Sequence, residues 1–258
     1  MLTVVVSTMG GGIDRLHQTV EYRHPAVRYL IVCQVDEGVG PPPEYLARRP
    51  DIQVVHSDTR GLAISRNIGL GHCQTPYALL ADDDVRYLAG GMERLLAILE
   101  TERPDFALFQ IQTLDGEPPY KRYPSEAYEI TALKHWVSSV EIVVNAAKLR
   151  ATSIRFDERF GLGAPVDRGE EEIFVSDLIR HGWKGRYFPI AIVQHPYESS
   201  GKKMRSRKDQ LFFQGAYDAR LGNSPIPRPS LVDCIRNPRQ LLDAAYYRRG
   251  RRFVERTS

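Results

Sequence analysis

Tyr77-Ala78-Leu79-Leu80-Ala81-Asp82-Asp83-Asp84-Val85 is a short apolar run that ends abruptly in three consecutive carboxylates. A run of this length suits a buried strand, and in an open α/β sheet ligands collect at the carboxyl ends of the strands. The acids are therefore expected to face a crevice. Adjacent carboxylates repel one another, so at neutral pH the cluster either holds a cation or raises one of its own pKa values. With only oxygen donors and no cysteine beside them, the cation would be hard, Mn²⁺ or Mg²⁺, and Mg²⁺ normally shares its ligands with a substrate diphosphate. That points to a nucleotide donor. A solvated acidic turn after a strand is the plain alternative.

Upstream of this run the pattern repeats strand, loop and helix. Leu2-Thr3-Val4-Val5-Val6-Ser7 is a β-branched run, followed by Gly10-Gly11-Gly12 and a helical pattern to about Arg23. These glycines do not fit G-x-G-x-x-G, and no G-x-x-x-x-G-K-[ST] occurs, which disfavours a dinucleotide fold and a P-loop. They imply a tight turn or close backbone approach to a ligand. Tyr29–Gln34 reads as a second strand with Gln34 and Asp36 leaving its carboxyl end, and Ile52–His56 as a third. Gly61 precedes a helix over Leu62–Leu70, which Pro76 closes before the acidic strand. The resulting order, β-α-β-β-α-β, argues a largely parallel sheet covered by helices.

Downstream, a helix over Met92–Leu99, a strand over Phe106–Gln112 and a strand over Val140–Asn145 are predicted. Between Pro118 and residue 140 the pattern is weak. Ile154–Arg168 looks like an irregular loop that carries function or caps a site. A helix follows over Glu170–His181, then a strand over Tyr187–Val193 closed by His195-Pro196. Residues 196–208 read as a mobile basic loop, Leu211–Leu221 as a helix, Ser224–Pro229 as a stiff linker, and Leu231–Phe253 as a last helical stretch.

The helix after Gly169 carries an independent clue. At about 100° per residue, the mean direction of Ile173, Phe174, Val175, Leu178 and Ile179 coincides with Glu171, while Glu170 and Glu172 fall to either side. Burying a carboxylate is costly unless it is paired or faces a wet pocket, so Glu171 is the candidate general base. Its neighbours and partial burial would raise its pKa. Glu170 and Glu172 suit the positive end of the helix dipole. His195 should sit at a sheet end, where imidazole is compatible with Mn²⁺. Lys202, Lys203 and Arg205 would suit a flap over a diphosphate, or else a solvated charged loop.

Four motifs in order carry a resemblance. They are Gly61-Leu62-Ala63-Ile64-Ser65-Arg66-Asn67-Ile68-Gly69, Ala81-Asp82-Asp83-Asp84-Val85, Phe156-Asp157-Glu158-Arg159-Phe160-Gly161-Leu162-Gly163 with Gly169-Glu170-Glu171, and His195-Pro196. Together they resemble the family 2 glycosyltransferases of the GT-A fold, most closely the bacterial branch that builds surface polysaccharides, over about residues 2–200.

The resemblance implies a nucleotide-sugar site at Ser7, Thr8, Met9, Gln34, Asp36, Gly61, Leu62, Arg66, Asn67, Asp82 and Asp83, with Asp82 near the ribose. It implies a divalent ion, Mn²⁺ or Mg²⁺, at Asp84 with His195. Glu170-Glu171 stands where the family carries Glu-Asp, whose second acid is the catalytic base, so Glu171 takes that role. Two departures stand out. Glu replaces Asp at the base, and Gln34-Val35-Asp36 replaces the usual acid that reads the nucleobase.

The expected architecture is a GT-A type α/β domain over 1–223. It comprises a Rossmann-like nucleotide-sugar-binding half (1–115) and an acceptor half (116–223). A Pro-rich linker and basic C-terminal helix follow over 224–258. The expected activity is inverting transfer of a sugar from a nucleotide-diphosphate donor, foremost a UDP-sugar, to a saccharide or lipid-linked saccharide. The rivals are a sugar-nucleotide pyrophosphorylase, for which Gly10-Gly11-Gly12-Ile13-Asp14-Arg15 is a poor match, and a non-catalytic nucleotide- or carbohydrate-binding protein on the same fold.

Composition supports this frame. The chain has 258 residues, 42% hydrophobic and 26% charged, enough for one large α/β domain with a sizeable core. A formal charge of +3 gives no argument for nucleic-acid binding. Basic residues gather late, at Lys202–Lys208 and at Arg248, Arg249, Arg251, Arg252 and Arg256, where a surface helix could rest on anionic lipid or pack on the domain. No apolar run nears the roughly 18 residues of a membrane span, and no signal peptide is recognisable at the N-terminus, so a cytoplasmic protein is expected. The three cysteines, Cys33, Cys73 and Cys234, read as reduced thiols.

Overall fold

The computed structural model describes residues 1–35, 40–198, 205–226, 237 and 239–257. Asp36, Lys202, Lys203 and Cys234 lie outside the described residues. Nine strands form one sheet: β1 (Leu2–Met9), β2 (Val27–Gln34), β3 (Ile52–Ser57), β4 (Tyr77–Ala81), β5 (Arg86–Tyr87), β6 (Phe106–Gln112), β7 (Tyr128–Ile130), β8 (Ile142–Asn145) and β9 (Gly185–Gln194). The helices are α1 (Glu44–Ala47), α2 (Leu62–His72), α3 (Ala89–Thr101), α4 (Ala146–Leu149), α5 (Glu170–Arg180), α6 (Arg207–Arg220) and α7 (Arg239–Thr257).

The sheet order is β3-β2-β1-β4-β8-β6-β9-β5, with β7 on β9. β1 to β4 are mutually parallel, β8 runs against β4 and β6, and β9 returns parallel to β6. The predicted halves thus share one sheet. β1 lies inside the parallel part of the sheet, between β2 and β4, and its β-branched run is buried on both faces, as a strand flanked by parallel neighbours and covered by helices must be. Alternation sends Val4 and Val6 to the face packed by Met92, Leu95 and Leu99 of α3. Val5 and Leu80 face Ala63 and Leu70 of α2 and Phe174, Val175 and Leu178 of α5. The chain passes outward from β1 to β3, then crosses back to β4 on the other side of β1. That reversal is the switch point at which open α/β sheets leave a crevice. Since Val6 pairs with Ala81 at the end of β4, Ser7 and Thr8 run on beyond that strand, still paired with β2, beside Asp82 and Asp83.

Several local expectations are corrected. After β1 the chain forms a 3₁₀ helix over Gly10–Arg15 in place of a helix to Arg23. Three glycines favour helix poorly, and a Cβ on Gly12 would lie 2.3 Å from Thr8 Oγ1 and 2.5 Å from Asp83 Oδ2. The predicted strand from Val140 begins at Ile142, after a 3₁₀ turn over Ser139–Glu141 closed by a capping box between Ser138 and Glu141. The helix predicted from Leu211 starts at Arg207, capped by the Ser206 side chain. The last helix is described from Arg239. It packs on α6, where Gly250 lets the backbone of Phe212 approach so closely that a Cβ would meet its carbonyl oxygen at 1.9 Å. Leu241 and Leu242 remain exposed. Among the described residues no helix is long and apolar enough to cross a membrane. Cys33 and Cys73 are free and buried.

A small third core, Phe160, Val166, Ile173, Ala216 and Val254, joins α6 and α7 to the loop before α5. Its polar rim is Arg220, which reaches Asp157 Oδ2 at 2.6 Å through Nε and Asp177 through its terminal nitrogens. Arg159 also holds Asp157, at 2.6 Å and 2.8 Å, and so ties the loop to α7 through the Val254 carbonyl. Arg220→Ala would leave two largely buried carboxylates sharing less positive charge. It is expected to cost about 2–3 kcal/mol, below the range for fully buried pairs because Arg220 is partly exposed, as read by denaturant titration.

Candidate active site

Arg66 is the pivot of the crevice. It stands on α2 with 1% of its side chain exposed, its Nη1 3.0 Å from both Glu170 Oε1 and Glu171 Oε1 and its Nη2 3.3 Å from Asp82 Oδ1. The side chain passes near the Phe156 ring, 5.6 Å from its centroid. One buried cation therefore joins the tip of β4 to the first turn of α5. Burial alone would disfavour its charge, but the carboxylates of Glu171, Asp82 and Glu170 outweigh that and hold its pKa above the ordinary value.

Helix α5 starts at Gly169, whose φ of 91° is available to glycine at little cost and whose missing side chain admits the Phe213 ring of α6. The expectation that Glu171 points most deeply inward is corrected: Glu170 is the buried acid, with 4% of its side chain exposed against 16% for Glu171. Asp177 is buried as the partner of Arg220, and Ile179 is only half-buried, so the true buried arc of the helix is rotated toward Glu170. A count of apolar residues could not register a buried, paired aspartate. Glu170 packs under Gly161, where a Cβ would lie 2.8 Å from its carboxyl carbon, and Glu171 stands at the lip. Burial, then the charge of Glu170, pushes the Glu171 carboxyl up to about 8 against the pull of Arg66. Glu172 is pushed up to about 7 by burial and by Glu171, with the Val137 N–H opposing.

The other end of the crevice is the acidic tip. Thr8 Oγ1 donates to Asp83 Oδ2 at 2.6 Å, and Thr19 Oγ1 donates to the Asp83 and Val85 carbonyls. Burial raises the Asp83 pKa, assisted by Asp84 and Asp82 and opposed by the Thr8 bond. Ser139 Oγ donates to Asp82 at 3.2 Å. Asp84 is 57% exposed, and its Oδ1 lies 3.3 Å from His195 Nε2. The bond and charge of His195 hold the Asp84 pKa down against burial. Burial disfavours the His195 imidazolium, but Asp84 outweighs it and raises that pKa.

This pair fits a divalent ion. With Nδ1–H donated to the Pro196 carbonyl at 2.6 Å, Nε2 of a neutral His195 turns a lone pair toward a carboxylate, an arrangement that a proton or a metal satisfies. Among the described residues no group of three or more His, Cys, Asp or Glu side chains is placed to hold a metal. An ion held by these two would complete its shell from water and a diphosphate, as Mg²⁺ and Mn²⁺ commonly do.

Other predicted residues take distinct places. Gln34 is buried at the end of β2 and donates to Thr59 Oγ1, while Met9 is exposed beside it in register. Ser7 accepts from Ser65 at 2.8 Å, tying β1 to α2. Asn67 spends both ends of its amide on the Phe156 backbone, and Leu62 N–H donates to the Leu162 carbonyl. Gly61 and Gly163 pack against each other there. Gly61, Leu62 and Asn67 thus anchor the loop over residues 156–168. Arg205 pairs with Asp167 at 2.7 Å, next to the start of α5. Sequence reasoning missed Ser139, Thr19 and Thr59. Only Ser139 had a readable signal, the Ser138-Ser139-Val140-Glu141 capping box.

A switch-point crevice in this α/β sheet, with a strand-tip acid cluster and a facing glutamate helix, is the architecture of the GT-A fold. A family model described as Glycosyl transferase family 2 matches residues 36–150. The pre-mycofactocin glycosyltransferases of Mycobacterium tuberculosis strains CDC 1551 / Oshkosh and ATCC 25618 / H37Rv are each 32% identical over 210 residues, covering 74% of this chain and 42% of theirs. The chain belongs to glycosyltransferase family 2. It spans about two fifths of the length of those curated relatives. Among solved structures, S. aureus TarS 1-349 in complex with UDP-GlcNAc superposes with a TM-score of 0.66 at 14% identity, over 96% of this chain and 71% of that one. The UDP complex gives 0.64 at 14% identity, over 95% and 70%. At such identity the likeness is one of fold.

Proposed function

We propose that the chain transfers a sugar, with inversion, from a UDP-sugar to a hydroxyl of a saccharide or lipid-linked saccharide acceptor, in the manner of surface-polysaccharide synthesis. The observation that carries this reading is the Arg66 bridge, which sets a carboxylate of raised pKa beside the acid cluster. The TarS complex with UDP-GlcNAc supports the choice of donor class. Glu171 accepts the proton of the acceptor hydroxyl while its oxygen bonds to the anomeric carbon and the bond from that carbon to the diphosphate breaks. Arg66 orients Glu171 and pairs with Glu170 and Asp82 on either side of it. Ser7, Thr8 and Asp82 line the nucleotide side. A divalent ion at Asp84 and His195 would supply positive charge where the leaving diphosphate gains negative charge. The exposed Leu241 and Leu242, with Arg249, Arg252 and Arg256 further along α7, suit an acceptor presented at an anionic lipid surface.

Calorimetry with UDP, with and without Mn²⁺, tests the donor and the ion together. UDP is expected to bind at least about tenfold more tightly with Mn²⁺, and Asp84→Asn is expected to remove that gain while leaving the metal-free affinity unchanged. Equal UDP affinity with and without Mn²⁺ in the native chain would exclude the ion. Donor hydrolysis across a panel of sugar nucleotides then identifies the sugar.

A further inference from the structure

The chain has two tryptophans, and they are treated oppositely. Trp183 is buried, whereas Trp136 is 44% exposed. An indole left in water is noteworthy when it is also held still. Trp136 is held by the groups around it. The Lys121 ammonium sits 4.5 Å from its ring centroid, donates to the Trp136 carbonyl at 2.7 Å and reaches buried Glu141 at 2.6 Å. The ring of Tyr120 lies 5.6 Å away, tilted by 46°, and Tyr120 is itself buried edge-on to His195 at 5.5 Å. The chain beyond the indole is tied to the crevice: Ser139 donates to Asp82, and the Val137 N–H lies near enough to the Glu172 carboxylate to favour its charge. The exposed ring thus stands at the rim of the crevice, on a segment stitched to both the acids of α5 and the strand tip.

From this arrangement we infer that Trp136 is a stacking platform for the pyranose ring of the acceptor. This inference deepens, and rests on, the glycosyl-transfer reading above. One side of a pyranose is a patch of C–H bonds, and a rigid aromatic face receives such a patch with little further loss of side-chain freedom. Lys121 occupies one side of the indole, which leaves the remaining exposed surface to a ligand. The acceptor, rather than the donor, is the occupant because the indole's segment leads through Val137 to the acid next to Glu171. Nucleotide contacts are assigned across the crevice to Ser7, Thr8 and Asp82.

The test uses the full chain with UDP and Mn²⁺ present, and the methyl glycosides of glucose, galactose, mannose and N-acetylglucosamine as probes. Saturation-transfer NMR and tryptophan emission are read for the native chain, Trp136→Phe and Trp136→Ala, and UDP affinity is measured for each by calorimetry. At least one glycoside is expected to bind the native chain, shift its emission and show transfer to protons of one ring side. Trp136→Ala is expected to weaken that binding at least about tenfold, with UDP affinity within about twofold of native. Trp136→Phe should retain most of the binding while losing the emission change. Native-like glycoside binding by Trp136→Ala, no glycoside binding to the native chain, or a loss of UDP affinity in its place would overturn the inference. Absence of UDP binding to the native chain would overturn the underlying reading, and the glycoside titrations would still decide the platform.

Discussion

Glu171→Gln is expected to lower transfer by about 10²–10⁴-fold, the span over which general-base assistance contributes, while UDP affinity changes less than about twofold. Gln keeps the size and the contact with Arg66 but cannot take a proton. The pH profile checks the same assignment independently. With its pKa pushed up to about 8 by burial and by Glu170, Glu171 is mostly protonated at neutral pH. The value of kcat/KM in the native chain should therefore rise about tenfold per pH unit below 8 and level off above it. The residual activity of Glu171→Gln should lack that rise. A variant that transfers at the native rate would remove Glu171 from the chemistry.

Arg66→Met should be the most destabilising single change in the crevice. It leaves Glu170, Glu171 and Asp82 facing one another without their shared cation, and breaking a buried pair of this kind costs about 3–5 kcal/mol. The melting temperature should fall by about 10 °C. The loss should depend on pH with a definite sign. Glu171, already raised to about 8, loses the pull of Arg66 and its pKa climbs further, so the folded state binds more protons and stability falls as pH rises through that window. Melts at pH 6 and pH 9.5 should show the larger deficit at pH 9.5. Arg66→Lys, which keeps a charge but cannot bridge three carboxylates, should lose less and remain folded for kinetics. A deficit equal at both pH values would mean that Arg66 acts through packing alone.

The two ends of the crevice differed in legibility. The acid cluster could be placed from Tyr77–Val85 because an apolar run broken by charges has few other readings, and its strand-end position follows from the chain order. Helix α5 was equally legible as an element, but its rotation was not. The periodicity argument selected Glu171 as the deepest acid, whereas pairing of Asp177 with Arg220 turns Glu170 inward. Periodicity weighs apolar residues, and a charged residue buried by its partner looks like surface until the partner's position is known. Arg66 escaped for the same reason. It was read as lying beside the nucleotide, and in the structure its guanidinium is occupied by three carboxylates. Ser139 and Trp136 lay in the stretch after Pro118, where short strands and turns leave no period to detect.

What the amino-acid order determined by itself was the succession of strands and helices, the acids at the end of β4, the glutamates at the start of α5 and the histidine after β9. Each follows from local pattern: β-branched runs, helix-starting glycine and abrupt changes of polarity. Only the tertiary structure decided that the acids at the tip of β4 and the start of α5 converge on one cation, Arg66, that Glu170 is buried and Glu171 left at the lip, and that an exposed indole stands at the rim. Those outcomes depend on strand order and on pairings between residues about a hundred positions apart, such as Arg66 with Glu170 and Glu171. Charge pairing at that range carries no periodic trace in the sequence, because what it requires is closeness in space.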